Sequence, residues 1–272
     1  MTGWSHFRDY GVSSLRKDLV SGTIVGVIAI PLGMAFAIAS GVKPEYGIYT
    51  TIVAGILISL FGGSKFQIGG PTGAFIPILF VIGAQYGYEN LLIAGMMAGI
   101  MLVLMGALRL GVLIKFIPKP VTIGFTAGIA VIIFTGQIAS FLGLKGIERH
   151  ERFVDNMREI GSHLATVNVY SMLTAGVCLA ILLLAVRFAP KVPGSLIGLI
   201  VASVMAALFF SGKVTTIGSA YGDIPSTLPG FHFPVITWER VRSLLRPAFL
   251  IAMLGAIESL LSAVVADSMT GS

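Results

Sequence analysis

The chain has 272 residues, 56% of them apolar and only 11% charged, with a formal net charge of +6 and a mean hydropathy of +0.94. A soluble domain carries about 25% charged residues, so these values exclude a water-soluble globule and imply an integral membrane protein. The single cysteine, Cys178, excludes an intramolecular disulfide and a cysteine zinc site, and the lack of basic runs argues against nucleic acid as a partner.

The chain opens on "MTGWSHFRDYGVSSLRKDLV". Residues 1–18 are polar and mixed in charge, which fits a cytoplasmic N-terminus rather than a cleaved signal. The first apolar run, Leu19–Ser40, is long enough to cross a bilayer and carries Pro31 near its middle. That proline leaves the Val27 carbonyl without its helical donor and predicts a kink. A second run follows at Gly47–Phe61.

The next stretch, Gln67–Leu79, reads "QIGGPTGAFIPIL", with three glycines and two prolines in thirteen residues. Such punctuation usually marks a surface turn, yet here it lies between apolar runs. Irregular backbone at membrane depth survives only inside protein or beside a water-filled cavity. An extended Lys65–Gly70 would span roughly 20 Å at about 3.3 Å per residue. A helical Ala74–Tyr86 would span roughly 20 Å more at about 1.5 Å per residue. The Gly-Pro-Thr-Gly break then falls near mid-membrane. A helix starting there aims unpaired N–H groups and the positive end of its dipole into the protein, where an anion can bind. Gly69, Gly70 and Gly73 permit close approach, and Thr72 can cap the helix or offer its hydroxyl to a ligand. Broken helices of this kind are typical of secondary transporters.

Further runs occupy Leu91–Leu108, Val121–Leu142, Tyr170–Phe188, Leu196–Phe210 and Ala248–Ala266, giving eight crossings with the short one at Ala74–Tyr86. Between them, Ile147–Leu164 mixes charges with Phe153, Met157 and Ile160 at helical spacing and predicts a short surface helix. Gly222–Pro234 is rich in Pro and Gly and reads as a loop. In the last run Glu258 sits among apolar residues and shares a helix face with Gly255 and Ser262. Burial disfavours its charged form, which suits proton carriage or cation binding. GxxxG pairs at Gly22/Gly26, Gly95/Gly99, Gly124/Gly128 and Gly194/Gly198 predict close helix packing. The short loops are more basic on one side when the N-terminus is placed inside the cell. The histidines His6, His150, His163 and His232 fall in termini or loops and read as solvated.

"PEYGIYTT" (Pro44–Thr51), "AIPLGMAFAIASG" (Ala29–Gly41), "GFTAGIAVIIFTGQI" (Gly124–Ile138) and "GAIESLLSAVVADSMTG" (Gly255–Gly271) occur in this order. Together they resemble the SulP anion transporters, the solute carrier 26 family. The resemblance implies an all-α polytopic fold of seven plus seven helices in inverted repeats, of which this chain would supply the first seven, with a broken third, and the eighth. A core domain would move against a gate domain. In this chain residues 19–110 would be core helices 1–4, residues 119–212 gate helices 5–7, residues 213–246 an extracellular loop and residues 247–272 core helix 8. The family has six further helices and usually a cytoplasmic STAS domain, absent from this chain, which would be a fragment of a longer protein or a truncated product that cannot form the site alone. Gly70, Pro71, Thr72, Gly73, Ala74 and Phe75 would form half of the anion site, lined by Ala29–Phe36, with Pro31 and Phe36 as contact residues. Glu258, with Ser262, would couple transport to a proton or a sodium ion.

Many sulfate-transporting members have Gln and Tyr where this chain has Leu32 and Phe36. The apolar pair is more similar to bicarbonate or dicarboxylate branches. The implied protein is not an enzyme and needs no cofactor or metal. It is a multi-pass protein of the plasma membrane (the inner membrane of a bacterium), with a homodimer as an expected assembly. The competing readings are a passive anion channel, a non-transporting scaffold, and a nucleobase permease of the same fold.

Overall fold

The computed structural model describes residues 11–63, 68–111, 119–189, 193–227, 230 and 233–270, with the backbone alone at 119, 122 and 267–270. The described residues are helical and contain no strand. The helices are α1 (Val12–Ala39), α2 (Pro44–Phe61), α3 (Ile76–Tyr86), α4 (Tyr88–Ala107), α5 (Lys119–Leu142), α6 (Phe153–Ser162), α7 (Val169–Phe188), α8 (Gly194–Phe209), α9 (Ile217–Tyr221) and α10 (Trp238–Thr270), with short 3₁₀ turns at Gly73–Phe75 and Leu164–Thr166. Six of them supply spans long and apolar enough to cross a membrane, and two shorter apolar helices cover Gly73–Tyr86 and Gly194–Phe209. These eight helices fall on the eight apolar runs read from the sequence, six of them long enough to cross by themselves. Large side chains such as Phe61, Val103 and Phe134 are more than 70% exposed, as lipid-facing residues should be. The start of α10 is ten residues earlier than its apolar run, because the polar Trp238–Pro247 stretch is also helical. Pro31 and Pro247 lie inside continuous helices.

Two compact units divide the described residues. One takes 33–128 and 225–270, the other 11–32 and 129–224. In the first unit α10 packs along α4, and α3 packs against α4. Its core is built from Ile82, Leu91, Ile93, Ala94, Ala98, Leu244, Ile251 and Ala252. Alanines at the crossing let the helix backbones approach, the usual route to close packing in lipid. Gly87 makes the α3–α4 turn: its φ of +83° is in the region other residues avoid, and its N–H closes α3 on Gly83 O at 2.9 Å.

The signature Pro44–Thr51 is structural in this unit. Pro44 is fully buried at the first turn of α2, where a missing N–H costs nothing. Tyr46 stacks on Tyr88 with centroids 4.6 Å apart and meets Tyr49 edge-on. The Tyr49 hydroxyl donates to Thr227 O at 3.0 Å. A Cβ on Gly47 would lie 2.1 Å from Gly33 O, so α1 and α2 cross in backbone contact. Arg240 at the start of α10 pairs with Glu89 at the start of α4, 3.2 Å apart. The starts of α2, α4 and α10 therefore lie together at one end of this unit.

In the second unit α7 packs on α8. Gly198 faces the backbone carbonyl and sulfur of Cys178, and Gly194 faces Ala185. Asn168 caps α7 by accepting from the N–H of Tyr170 and of Ser171 at 3.0 and 3.3 Å. Of the four GxxxG pairs, Gly194/Gly198 packs against a neighbouring helix. The other three meet nothing within 4 Å among the described residues. The predicted surface helix is found as α6, shorter than Ile147–Leu164 at both ends.

Candidate functional site: a broken helix facing a carboxylate

The sequence "GGPTGAFIPIL" folds as predicted around its break. Gly69 to Thr72 are non-helical, Gly73–Phe75 form one 3₁₀ turn, and α3 begins at Ile76 with Pro77 in its first turn. Lys65 to Gln67, the start of the predicted extended arm, lie outside the described residues. Gly69 runs close against α2: a Cβ there would meet Ile58 Cδ1 at 2.4 Å and Ala54 O at 3.1 Å. A Cβ on Gly70 would meet nothing within 4 Å. Close approach is thus needed at Gly69, while Gly70 has open space beside it.

Thr72 is extended (φ −128°, ψ 141°) and caps the turn, its Oγ1 accepting from Ala74 N at 3.4 Å. Phe75 N reaches Thr72 O, also at 3.4 Å. Both bonds exceed the usual 2.7–3.2 Å, so these two amides are weakly held. Gly73 and Ala74 are buried, and Pro71, Thr72 and Phe75 are half-buried. Pro77 contributes no N–H. The break therefore presents loosely committed donors at a helix N-terminus, with the dipole favouring negative charge.

Across from it stands Glu258. Thr72 Oγ1 donates to Glu258 Oε1. The hydroxyl thus caps the turn with its lone pair and spends its proton on the carboxylate. The other oxygen, Glu258 Oε2, is buried without a hydrogen-bond partner among the described residues. A bare buried carboxylate oxygen is costly. A proton or a cation at Oε2 would remove that cost. Gly255, one turn earlier, faces Phe75 of the break and Leu102 of α4: a Cβ there would touch Phe75 Cζ and Leu102 Cδ1 at 3.5 Å. The predicted Gly255–Glu258 face is therefore the one turned to the break.

The remaining predicted residues divide. Phe75 packs on the apolar core through its ring, so its contribution to the break is its backbone. Ser262 is exposed and makes no hydrogen bond to Glu258 among the described residues. Phe36 is half-buried in the unit that holds the break, and Pro31 is half-buried in the part of α1 that belongs to the other unit. No cluster of three His, Cys, Asp or Glu suited to a metal occurs among the described residues. Sequence reasoning missed a shallow groove in the second unit lined by Lys145, Thr166, Asn168, Tyr170 and Lys213, where Lys213 Nζ lies 4.7 Å from the Tyr170 ring centroid.

The pattern of the sulfate permease family matches residues 15–272. The chain belongs to that family. YvdB of Bacillus subtilis (strain 168), assigned as a sulfate transporter, is 60% identical over 266 residues, covering 98% of this chain and 50% of that protein. The bicarbonate transporter BicA of a Picosynechococcus is 29% identical over 280 residues, covering 99% of this chain and 48% of that protein. The solved transmembrane domain of a cyanobacterial BicA superposes with a TM-score of 0.80 at 28% identity, covering 97% of this chain and 68% of that one. The chain spans about half the length of the curated relatives it matches. The likeness to BicA bears out the fold expected from the resemblance: a multi-pass helical membrane domain of the sulfate permease type, in a family of permeases rather than enzymes.

Proposed function

We propose that the protein containing this chain is a secondary active anion transporter working by alternating access. The anion is held by the amides at the Gly70–Phe75 break, and Glu258 carries the coupling proton. The observation that carries this reading is the Thr72–Glu258 hydrogen bond. It joins an anion-seeking helix N-terminus to a carboxylate with one buried, unpartnered oxygen. A proton on Oε2 satisfies that oxygen and removes a negative charge beside the break, so an anion is less opposed when it arrives. A passive channel or a scaffold has no use for a carboxyl in this position.

Relatives named for sulfate and for bicarbonate support an oxyanion as the substrate class. The apolar pair Leu32 and Phe36 favours bicarbonate or a dicarboxylate over sulfate. The bacterial relatives support the plasma membrane, with the N-terminus cytoplasmic on the loop-charge argument. The test is uptake of labelled sulfate, bicarbonate, fumarate and uracil by the full-length protein in proteoliposomes. Anion uptake against a gradient, driven by an imposed proton gradient, supports the reading. Uptake that only follows the anion's own gradient makes it a channel, and uracil uptake makes it a nucleobase permease.

A further inference from the structure

We infer that the segment joining α5 to α7 is a pH-responsive clasp centred on Glu159, independent of the anion site. The chain from Gly143 to Arg152 folds back on α6. His150 N donates to Asn156 Oδ1 at 2.9 Å, and Asn156 Nδ2 donates to His150 O at 2.7 Å. Lys145 N donates to Thr166 Oγ1 at 3.2 Å, and Asn168 N closes on Leu142 O at 2.9 Å. Gly143, at φ +62°, packs so tightly on Ser171 that a Cβ would lie 2.5 Å from its side chain. The clasp is therefore pinned to the ends of both long helices.

Glu159 joins its parts. Its Oε1 accepts from Glu148 N at 3.3 Å. His150 Nε2 stands 3.5 Å from Oε2, and His163 Nδ1 stands 3.4 Å from Oε1. His163 Nδ1 also lies 2.9 Å from Glu159 O and 3.1 Å from Ser162 Oγ. One carboxylate is thus bracketed by two imidazoles that come from either side of α6. Other charged groups of these elements are Lys145, Glu148, Arg149, Glu151 and Arg152 on the folded-back chain and Asp155 and Arg158 on α6. Of these, Glu148 meets Glu159 through its backbone alone, and Arg149 is influenced by Tyr221. The 3₁₀ turn Leu164–Thr166 brings no charge.

The Glu148 N–H first, and then the two histidines, hold the Glu159 carboxyl below its ordinary value of 4.5 against a desolvation that opposes them. Its contacts are therefore present above the ordinary carboxylate range and lost as pH falls through the depressed value. Imidazoles take up protons between about pH 8 and 5. A protonated imidazole beside a carboxylate makes a charge-assisted pair. The clasp tightens on mild acidification and opens only when Glu159 itself is protonated.

The test is hydrogen exchange of the 145–163 amides in the full-length protein in nanodiscs, corrected for intrinsic rates. Protection should rise about three- to tenfold from neutral to mildly acid conditions, the reach of one or two half-exposed ion pairs, and collapse in stronger acid. His150→Gln with His163→Asn keeps an amide nitrogen near each donor position but cannot gain charge, so it should remain folded with a flat profile. Glu159→Gln keeps an acceptor for Glu148 N and should also be flat. A flat wild-type profile overturns the clasp, and so does a double histidine variant that still tightens in mild acid.

Discussion

The hydroxyl of Thr72 donates to a carboxylate oxygen of Glu258, across 186 residues of sequence. One side chain thereby touches both halves of the proposed site. Its lone pair caps the helix start at Ala74 N, and its proton is committed to the residue proposed to carry coupling.

Replacing that hydroxyl should therefore cost binding. Thr72→Val keeps the shape, leaves Glu258 with two unpartnered oxygens and uncaps Ala74 N–H. The loss of a bond to a charged group is worth about 1.5–3 kcal/mol, or roughly a ten- to hundredfold weaker anion affinity. Thr72→Ser should recover most of it. Gly73→Val, which sets a branched side chain at a buried position beside the amides, should abolish binding while the protein still inserts. Calorimetry on the full-length protein measures all three. Wild-type affinity in both Thr72→Val and Gly73→Val moves the anion elsewhere.

The α1–α2 crossing makes a separate prediction about stability. A Cβ on Gly47 would sit 2.1 Å from Gly33 O and 2.5 Å from Gly33 C, and backbone cannot yield as a flexible side chain can. Gly47→Ala should force the helices apart at a cost of about 1–3 kcal/mol, the usual penalty of overpacking. Gly95→Ala, where nothing lies within 4 Å among the described residues, should have little effect in this part of the chain. Thermal unfolding of the detergent-solubilised full-length protein should show a lower midpoint for the first than for the second.

These contacts mark where reading the sequence ran out. The helices were legible because lipid demands long apolar runs and internally paired backbone. The break at Gly70–Thr72 was legible because two glycines and a proline in succession disfavour a helix. Glu258 stood out as a carboxyl among apolar residues. Its partner did not, since nothing local to Thr72 names a residue so far along the chain. The Gly33–Gly47 crossing was hidden for the same reason: GxxxG is a spacing within one helix, whereas this pair is one glycine from each of two. The stacking of Tyr46 on Tyr88 gives part of "PEYGIYTT" a packing role. His150 and His163 read as solvated because the sequence does not show α6 carrying Glu159 between them. Ser262 was grouped with Glu258 by helical spacing alone, and the structure leaves it exposed.

Tyr49 offers a milder test of the same region. Its hydroxyl donates to Thr227 O at 3.0 Å, tying the stretch after α9 to α2. Tyr49→Phe removes that one bond and keeps the ring beside Tyr46. The expected cost is about 0.5–1.5 kcal/mol, felt locally as faster hydrogen exchange in the amides of residues 222–227. Exchange equal to wild type would mean that the bond does not hold the segment.

The last prediction concerns coupling. Glu258→Gln presents a carbonyl oxygen able to accept from Thr72 and an NH₂ where the proton would sit, so it imitates the protonated carboxyl permanently. The anion then meets a site already neutral at that position. Binding should persist, with an affinity that no longer improves as the medium is acidified, and uptake should lose its stimulation by an inward proton gradient. The measurement is uptake into proteoliposomes of neutral interior while the outside is stepped from neutral to mildly acid, with and without sodium. Wild-type protein should respond to the proton gradient and ignore sodium, and the variant should respond to neither. A variant that keeps the wild-type pH response would make Glu258 a structural residue that merely anchors Thr72. Wild-type uptake that requires sodium and ignores pH would make the free Oε2 one ligand of a cation site, to be completed by further oxygens.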